Sequence, residues 1–392
     1  MNLPDFTLSA GPTVVWPRVL AALGSPITYH YDPDFLDGFR RTERKVAELF
    51  LTKNDVLLMQ GEAVLGLEAA ARSLVRPGMP VLNLVSGVFG KGMSYWLKDF
   101  GAEVHELEVA YNDSVDPADV ERYLDEHAEI ELVALVHSET PSGTMHDLAA
   151  IGPMARAHDA LTLVDCVSSL GGIEYRNDEW EVDISVAAAQ KCLGGPPGIS
   201  LMAVSDRAWE RIQANPSAPR ASSLSMLDWK EQWLENGKFP FTPSVSEMHG
   251  IEACCDEMLE WGLDAAIAQH DLAARSCRAG VKAMGLDLWP RSEEITAACV
   301  TAIAVPDGLT DTQVRDHCRE RYGVMISSGQ GAGNLVRIGH MGPTARSLWP
   351  VVGLGALGRT LADLGVSVDV GAGLETALEV LSAREAAVEP AA

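Results

Sequence analysis

The 392-residue chain predicts an α/β fold: a large domain with a mostly parallel seven-stranded sheet between helices, plus a smaller C-terminal α/β domain. Three observations lead there. Seven short apolar runs alternate with helical segments from about residue 56 to 204, the pattern of an open sheet covered on both faces. From about Ser244 that alternation gives way to a long helical region and only two further strands. The length is ample for a large core and two domains. Residues 1–245 are assigned to the large domain with its N-terminal segment, and residues 246–392 to the small one.

In chain order, Phe6 to Trp16 carries Ser9-Ala10-Gly11-Pro12, a turn. Pro17 to Leu23 is a short helix with proline where helices favour it, at the start. Tyr29-His30-Tyr31-Asp32-Pro33 is a polar–aromatic loop before a helix over 34–51. Strands are expected at 56–59, 81–85, 103–109, 131–137, 162–167, 184–189 and 200–204. Helices at 64–75, 90–100 and 117–127 fall between them. A ligand of such a sheet sits at the carboxyl ends of the strands. The C-terminal part reads as a helical region over 247–284, strands at 297–305 and 335–338 around a helix at 311–322, and final helices at 347–364 and 373–385. Gly353 to Gly358 matches G-x-G-x-x-G, but it lies inside an apolar helical run with no preceding strand. It therefore reads as close helix packing and not as a dinucleotide site.

Composition narrows the function. With 47% hydrophobic and 22% charged residues the chain is globular and not disordered. No run reaches the length of a membrane span, and Met-Asn-Leu-Pro-Asp opens no signal peptide, so a cytoplasmic location is expected. A net charge of −25 argues against a nucleic-acid partner, whose phosphates would be repelled. The seven cysteines include no C-x-x-C, only the adjacent Cys254 and Cys255. They read as reduced thiols and neither a disulfide frame nor a metal site.

The chemistry centres on Ile184 to Ile199, I-S-V-A-A-A-Q-K-C-L-G-G-P-P-G-I. A buried strand delivers Lys191 into a loop of glycines and prolines. An ammonium taken out of water either finds a partner or titrates downward, and a lysine near neutrality is what a Schiff base with an aldehyde requires. A solvated loop lysine is the alternative. Leu161 to Val167, L-T-L-V-D-C-V, is a second buried strand with Asp165 near its end. A strand-end aspartate ahead of a loop lysine is the pair a pyridoxal group needs: the carboxylate keeps the pyridine nitrogen protonated and the lysine carries the aldehyde.

The strand Asp-x-V-S-S, then Q-K-x-L-x-x-P-P-G, then R-I-G-H-M-G resemble the class V aminotransferases of the fold type I pyridoxal-phosphate enzymes. The resemblance runs from Ala10-Gly11-Pro12 to the C-terminal helices. It implies that Lys191 is the Schiff-base lysine and Asp165 the partner of the pyridine nitrogen. By the same resemblance Phe89 stacks on the ring, Thr140 bonds the phenolic oxygen and Arg337 binds the substrate carboxylate, for which a guanidinium fork is suited. It also implies a homodimer or homotetramer with the site at the subunit interface, Phe241-Thr242-Pro243 reaching the neighbouring pocket.

One loop departs from that family's pattern. Where small residues usually open a helix and hold the cofactor phosphate, this chain reads Met59-Gln60-Gly61-Glu62-Ala63-Val64. At about 4 Å and an effective dielectric of 20, two like charges repel by roughly 4 kcal/mol, and a phosphate dianion facing Glu62 would meet about twice that. A neutral hydroxymethyl group could instead donate a hydrogen bond to the carboxylate. Glu62 turned away, as a helix-opening glutamate favoured by the dipole, is the alternative.

With Q-G-E-x-V-L-G-L-E-A-A, S-G-V-F-G-K-G, E-T-P-S-G-T and F-T-P-S-V-S-E, the chain resembles the members of that class that treat free pyridoxamine as a substrate in vitamin B6 breakdown. The implied reaction is pyridoxamine plus pyruvate to pyridoxal plus L-alanine through Lys191, with no cofactor permanently bound and with Tyr31 and Arg337 at the substrate. Gln330 stands where a second arginine is expected, which leaves the oxo acid open. A conventional pyridoxal-phosphate-dependent alanine– or serine–glyoxylate aminotransferase and a non-catalytic vitamer-binding protein are the alternatives.

Overall fold

In the computed structural model, which describes residues 3–383, seven strands form the large sheet. They are β1 (Asp55–Gln60), β2 (Pro80–Val85), β3 (Glu103–Glu108), β4 (Leu132–Val136), β5 (Leu161–Asp165), β6 (Ile184–Ala188) and β7 (Ile199–Val204). Their order across the sheet is β1-β7-β6-β5-β4-β2-β3. Pairs β2–β3, β2–β4, β4–β5 and β5–β6 are parallel, whereas β7 runs antiparallel to both neighbours. The reversal has a simple cause. A parallel return needs a crossover of a dozen or more residues, usually a helix, and the glycine–proline loop over 189–198 is too short to supply one.

Helices cover this sheet: α1 (Pro17–Leu23), α2 (Pro33–Phe50), α3 (Ala63–Leu74), α4 (Val88–Asp99), α5 (Pro117–Glu126), α6 (Leu148–Ala157) and α7 (Asp206–Ala214). In α2, Phe35, Phe39, Val46, Leu49 and Phe50 recur at helical spacing and are buried, so packing of one face fixes the helix. Asp32 caps it by accepting from the Asp34 N–H at 3.0 Å. Helix α6 was not among the helices expected, because Gly152 and Pro153 interrupt its propensity; burial of Leu148, Ile151 and Ala155 outweighs that.

The region expected as helical over 247–284 is two helices, α8 (Val245–Trp261) and α9 (Leu263–Ala283). Gly262, at φ +86°, separates them, a conformation that favours glycine. Strands β8 (Val300–Ala304), β9 (Ser327–Ser328) and β10 (Leu335–Gly339) form an antiparallel sheet in the order β8-β10-β9. Helices α10 (Asp311–Tyr322), α11 (Trp349–Asp363) and α12 (Val370–Ser382) complete the fold. The expected continuation of the last helix to residue 385 lies outside the described residues, as do the first two residues of the chain.

Buried apolar side chains form one large cluster about the seven-stranded sheet, continuing through α8 to Ala266. A second gathers α9 to α12 with β8 and β10, and takes in Leu8. The chain start is fastened there by parallel pairing of Phe6–Thr7 with Val324–Met325. The G-x-G-x-x-G stretch lies within α11, where a Cβ on Gly353 would come within 3.0 Å of Ile338 and Leu8. Close packing is therefore its role. All seven cysteines are buried and free. Among the described residues no helix is long and apolar enough to cross a membrane.

Gly152 tests how tightly the sheet's cover is packed. Glycine to alanine in a helix normally gains up to about 1 kcal/mol, but a Cβ here would meet the Trp180 carbonyl oxygen at 1.9 Å. Gly152→Ala should therefore destabilise the protein by about 1–3 kcal/mol, measured as a lowered thermal midpoint. An unchanged or raised midpoint would show that the Trp180 turn yields freely.

Candidate active site

Four parallel elements deliver polar groups to one edge of the large sheet: β1 and β2 lead into the first turns of α3 and α4, and β4 and β5 end beside them. A pocket opens there. Glu62, Phe89, Thr140, Asp165 and Lys191 line it together with the apolar Val64, Leu67, Met93 and Trp96. Arg337, on β10, stands behind Thr140. Its Nη1 donates to the Thr140 carbonyl at 2.7 Å and its Nε to that of Ser328 at 2.6 Å, and burial lowers its pKa to about 10. Tyr31 is not among the lining residues; it packs on an exposed loop against His30 and Phe239, with ring centroids 4.6 and 5.8 Å away. Gln330, at φ +49°, is exposed, its N–H donating to Ser328 Oγ at 3.3 Å.

Asp165 ends β5 and accepts from the Val167 N–H at 2.9 Å. Burial pushes its carboxyl up to about 6; the Val167 hydrogen bond and Lys191 oppose the shift and Glu62 adds to it. Lys191 is also driven toward its neutral form, chiefly by burial, with nearby Arg337 acting the same way and Cys299 and Asp165 opposing. Its Nζ donates to the Ala10 carbonyl at 2.7 Å. A Cβ on Gly11, at φ +100°, would lie within 2.3–2.5 Å of Lys191 Cδ, Cε and Nζ. The S-A-G-P turn closes over the lysine, and only glycine at this position lets it do so.

Phe89, at the start of α4, is 38% exposed, so its ring belongs to the pocket and not to the core. Its N–H and that of Gly90 donate to the Glu139 carboxylate at 3.3 and 2.6 Å. Gly87, the residue before the helix, has no side chain to cap it, and a Cβ there would meet the Glu139 carboxyl at 2.5 Å. Glu139 is thus an N-cap supplied from a distant segment. Burial raises its pKa to about 7, the two N–H bonds opposing and Asp165 adding to the rise. The sequence alone does not single out Glu139. The available signal was a glycine N-cap in S-G-V-F-G and an acid directly before Thr140, and neither points to the other without the fold.

Glu62 caps α3. Its Oε2 accepts from the Val64 N–H at 2.9 Å and its Oε1 from Gln190 Nε2 at 2.8 Å. The side chain opens the helix and also lines the pocket, so it is not turned away from it. Its ring-facing neighbours fit a pyridoxal group, with a buried carboxylate, an amine of lowered pKa, an exposed aromatic face and a hydroxyl. The Val64 and Gln190 donors are the ones a phosphate at this helix N-terminus would take, so phosphate and the Glu62 carboxylate are alternatives for one set of donors.

Comparison with known proteins gives a consistent answer. Residues 9–346 match the family described as aminotransferase class-V. The chain is 45% identical to the pyridoxamine–pyruvate transaminase of Mesorhizobium japonicum over 97% of each chain. It superposes on the crystal structure of pyridoxamine–pyruvate aminotransferase from Mesorhizobium loti with a TM-score of 0.95, covering 97% of this chain and 98% of that one at 45% identity. The L-aspartate–glyoxylate aminotransferase of Paracoccus denitrificans is 31% identical over 94% of each chain. The matched family is pyridoxal-phosphate dependent and points to a bound cofactor. This overturns the expectation that none is permanently bound. The physical reason is that Glu62 shares its donors with a phosphate and does not remove them, while Asp165 and Lys191 remain in place.

The raised Asp165 pKa carries a stability consequence. Ionising a carboxyl whose folded value is about 6 against an ordinary 3.8 opposes folding. The favourable contribution is present below about pH 3.8 and is lost as pH rises through about 6. Asp165→Asn keeps an acceptor for Val167. Freed of bound vitamer, it should be more stable than the parent at pH 8, by about 3 kcal/mol at most, and equal to it at pH 3.5. Thermal unfolding at the two values checks this, and equal midpoints at pH 8 would contradict it.

Proposed function

The chain belongs to the class-V aminotransferases, and on that premise we propose that it transfers the amino group of free pyridoxamine to pyruvate, giving pyridoxal and L-alanine. The observation that carries the reading is Glu62. An acceptor-only side chain at the end of the ring pocket, with a donor on each oxygen, suits the hydroxymethyl group of unphosphorylated pyridoxamine, which has a hydrogen to donate. The likeness to the Mesorhizobium enzymes supports the substrate pair.

Bound in the pocket, a pyridoxal ring supplies the electron sink for loss of a proton from the carbon bearing nitrogen. Asp165, held by the Val167 N–H, presents its carboxylate to the pyridine nitrogen and keeps it protonated. Lys191, with its pKa lowered by burial, has a neutral form able to take the proton from the substrate carbon and return it to the product carbon. Phe89 holds the ring flat from one face, and Thr140 donates its hydroxyl to the phenolic oxygen. Arg337 binds the oxo-acid carboxylate; two backbone carbonyls fix its guanidinium plane, leaving Nη2 and the second Nη1 hydrogen for the anion. Tyr31, outside its own chain's pocket, acts at the pocket of a second copy in a homodimer or homotetramer.

The test is direct. Purified protein given pyruvate and pyridoxamine should form pyridoxal and alanine in equal amounts, followed by absorbance and amino-acid analysis. A requirement for a separate amino donor would replace this reading with a conventional aminotransferase. Lys191→Ala should lose about 10²–10⁴-fold in kcat. Arg337→Lys, which gives up the planar fork, should raise KM for pyruvate about tenfold or more while leaving KM for pyridoxamine near the parent value. A uniform change in both KM values would remove Arg337 from the carboxylate role.

A further inference from the structure

We propose that Gln190 is a specificity-determining positioning residue, whose amide holds the Glu62 carboxylate facing the pocket as the acceptor for the vitamer's hydroxymethyl O–H. The inference rests on the pyridoxamine reading and adds to it a residue that the pocket itself does not display. Gln190 is 4% exposed and does not line the pocket. It lies directly before Lys191, beneath Glu62, with its Nε2 donating to Glu62 Oε1 at 2.8 Å. Because a carboxylate can only accept, the amide orientation is fixed by chemistry: NH2 toward Glu62 and oxygen away.

That leaves the Gln190 Oε1 buried without a hydrogen-bond partner. Most interior amides have both ends satisfied. Here one end is left unpaired while the other serves an exposed side chain, so the amide's one hydrogen bond is the one to Glu62. Its base is fixed: the Gln190 carbonyl accepts from the Thr13 N–H at 2.9 Å, and the Ala189 carbonyl from Gly195 N–H at 2.7 Å.

Glu62 needs such a restraint. It stands exposed at the head of α3, and the Val64 N–H alone engages one oxygen, leaving the carboxylate free to turn about that bond. A second donor on the other oxygen sets the carboxylate plane. Each oxygen then keeps a lone pair in a defined direction for a ligand hydroxyl. Consecutive residues thus place the two ends of one ligand: Lys191 the end that carries the amine, and Gln190, through Glu62, the hydroxymethyl end.

The experiment compares pyridoxamine with 5-deoxypyridoxamine, in which the hydroxymethyl is a methyl group, on the intact protein and on Gln190→Met, a variant of similar length with no donor. Fluorescence titration gives affinities, steady-state rates give kcat and the two KM values, and thermal unfolding gives stability. The parent protein should prefer pyridoxamine about 10–100-fold. In Gln190→Met the pyridoxamine affinity should fall about tenfold and that of the deoxy compound should not, so the preference collapses. The KM for pyruvate should stay as in the parent, and the unfolding midpoint should be equal or higher, since the unpaired carbonyl is gone. Gln190→Glu, which sets two carboxylates face to face, should bind pyridoxamine weakly at pH 8 and recover toward pH 5. Preference retained in Gln190→Met, or equal losses for both amines, overturns the proposal alone. A parent protein that binds both amines equally overturns the pyridoxamine reading together with it.

Discussion

The site depends on keeping one amine and one carboxylate close together and away from water. Either group alone at that depth would be driven toward its neutral form, and burial shifts both Lys191 and Asp165 that way. What makes the arrangement tenable is local. Asp165 is anchored by the Val167 N–H, and Lys191 rests on the Ala10 carbonyl beneath a turn that only Gly11 permits. The same loop shapes the sheet, because a connection too short for a helix forces β7 to run back against β6. The one reversal in an otherwise parallel sheet is therefore the structural trace of the lysine loop.

Much of this was legible in the sequence because local signals and global fold agree. Apolar strands ending in a polar residue marked Asp165 and the Lys191 loop, and the strand–helix alternation located all seven strands of the large sheet. What remained hidden has a common cause: each feature joins segments far apart in the chain. Glu139 caps a helix that begins some 50 residues earlier, and Gln190 reaches Glu62 across 128 residues. Helix α6 was obscured because glycine and proline lower its propensity while burial sustains it. The break at Gly262 was missed because a periodic pattern of apolar residues runs through it on both sides.

Glu62 constrains one end of the ligand and no more. A carboxylate in the phosphate position argues for a neutral ligand end, and the pyridoxamine reading rests on that. It does not follow that the pocket holds no resident cofactor, and the family places one there. The structure supplies the reconciling detail. Glu62 occupies an exposed turn and takes two donors; it is a competitor for a phosphate site and leaves that site's backbone intact. A helix N-terminus accepts whichever anion reaches it, including one provided by the chain.

The position of β1 at the sheet margin also governs how the molecule comes into being. Among the described residues its one ladder partner is β7, about 140 residues downstream, whereas β2 to β6 find neighbours soon after each is made. At about 5–20 residues per second, a nascent chain carries β1 unpaired for roughly 7–30 s on the ribosome. During that interval an apolar strand with open N–H and C=O groups is exposed to wrong edges and other chains. The Glu62 end of the pocket, which joins the turn after β1 to the loop before β7, can be completed only when that late pairing closes.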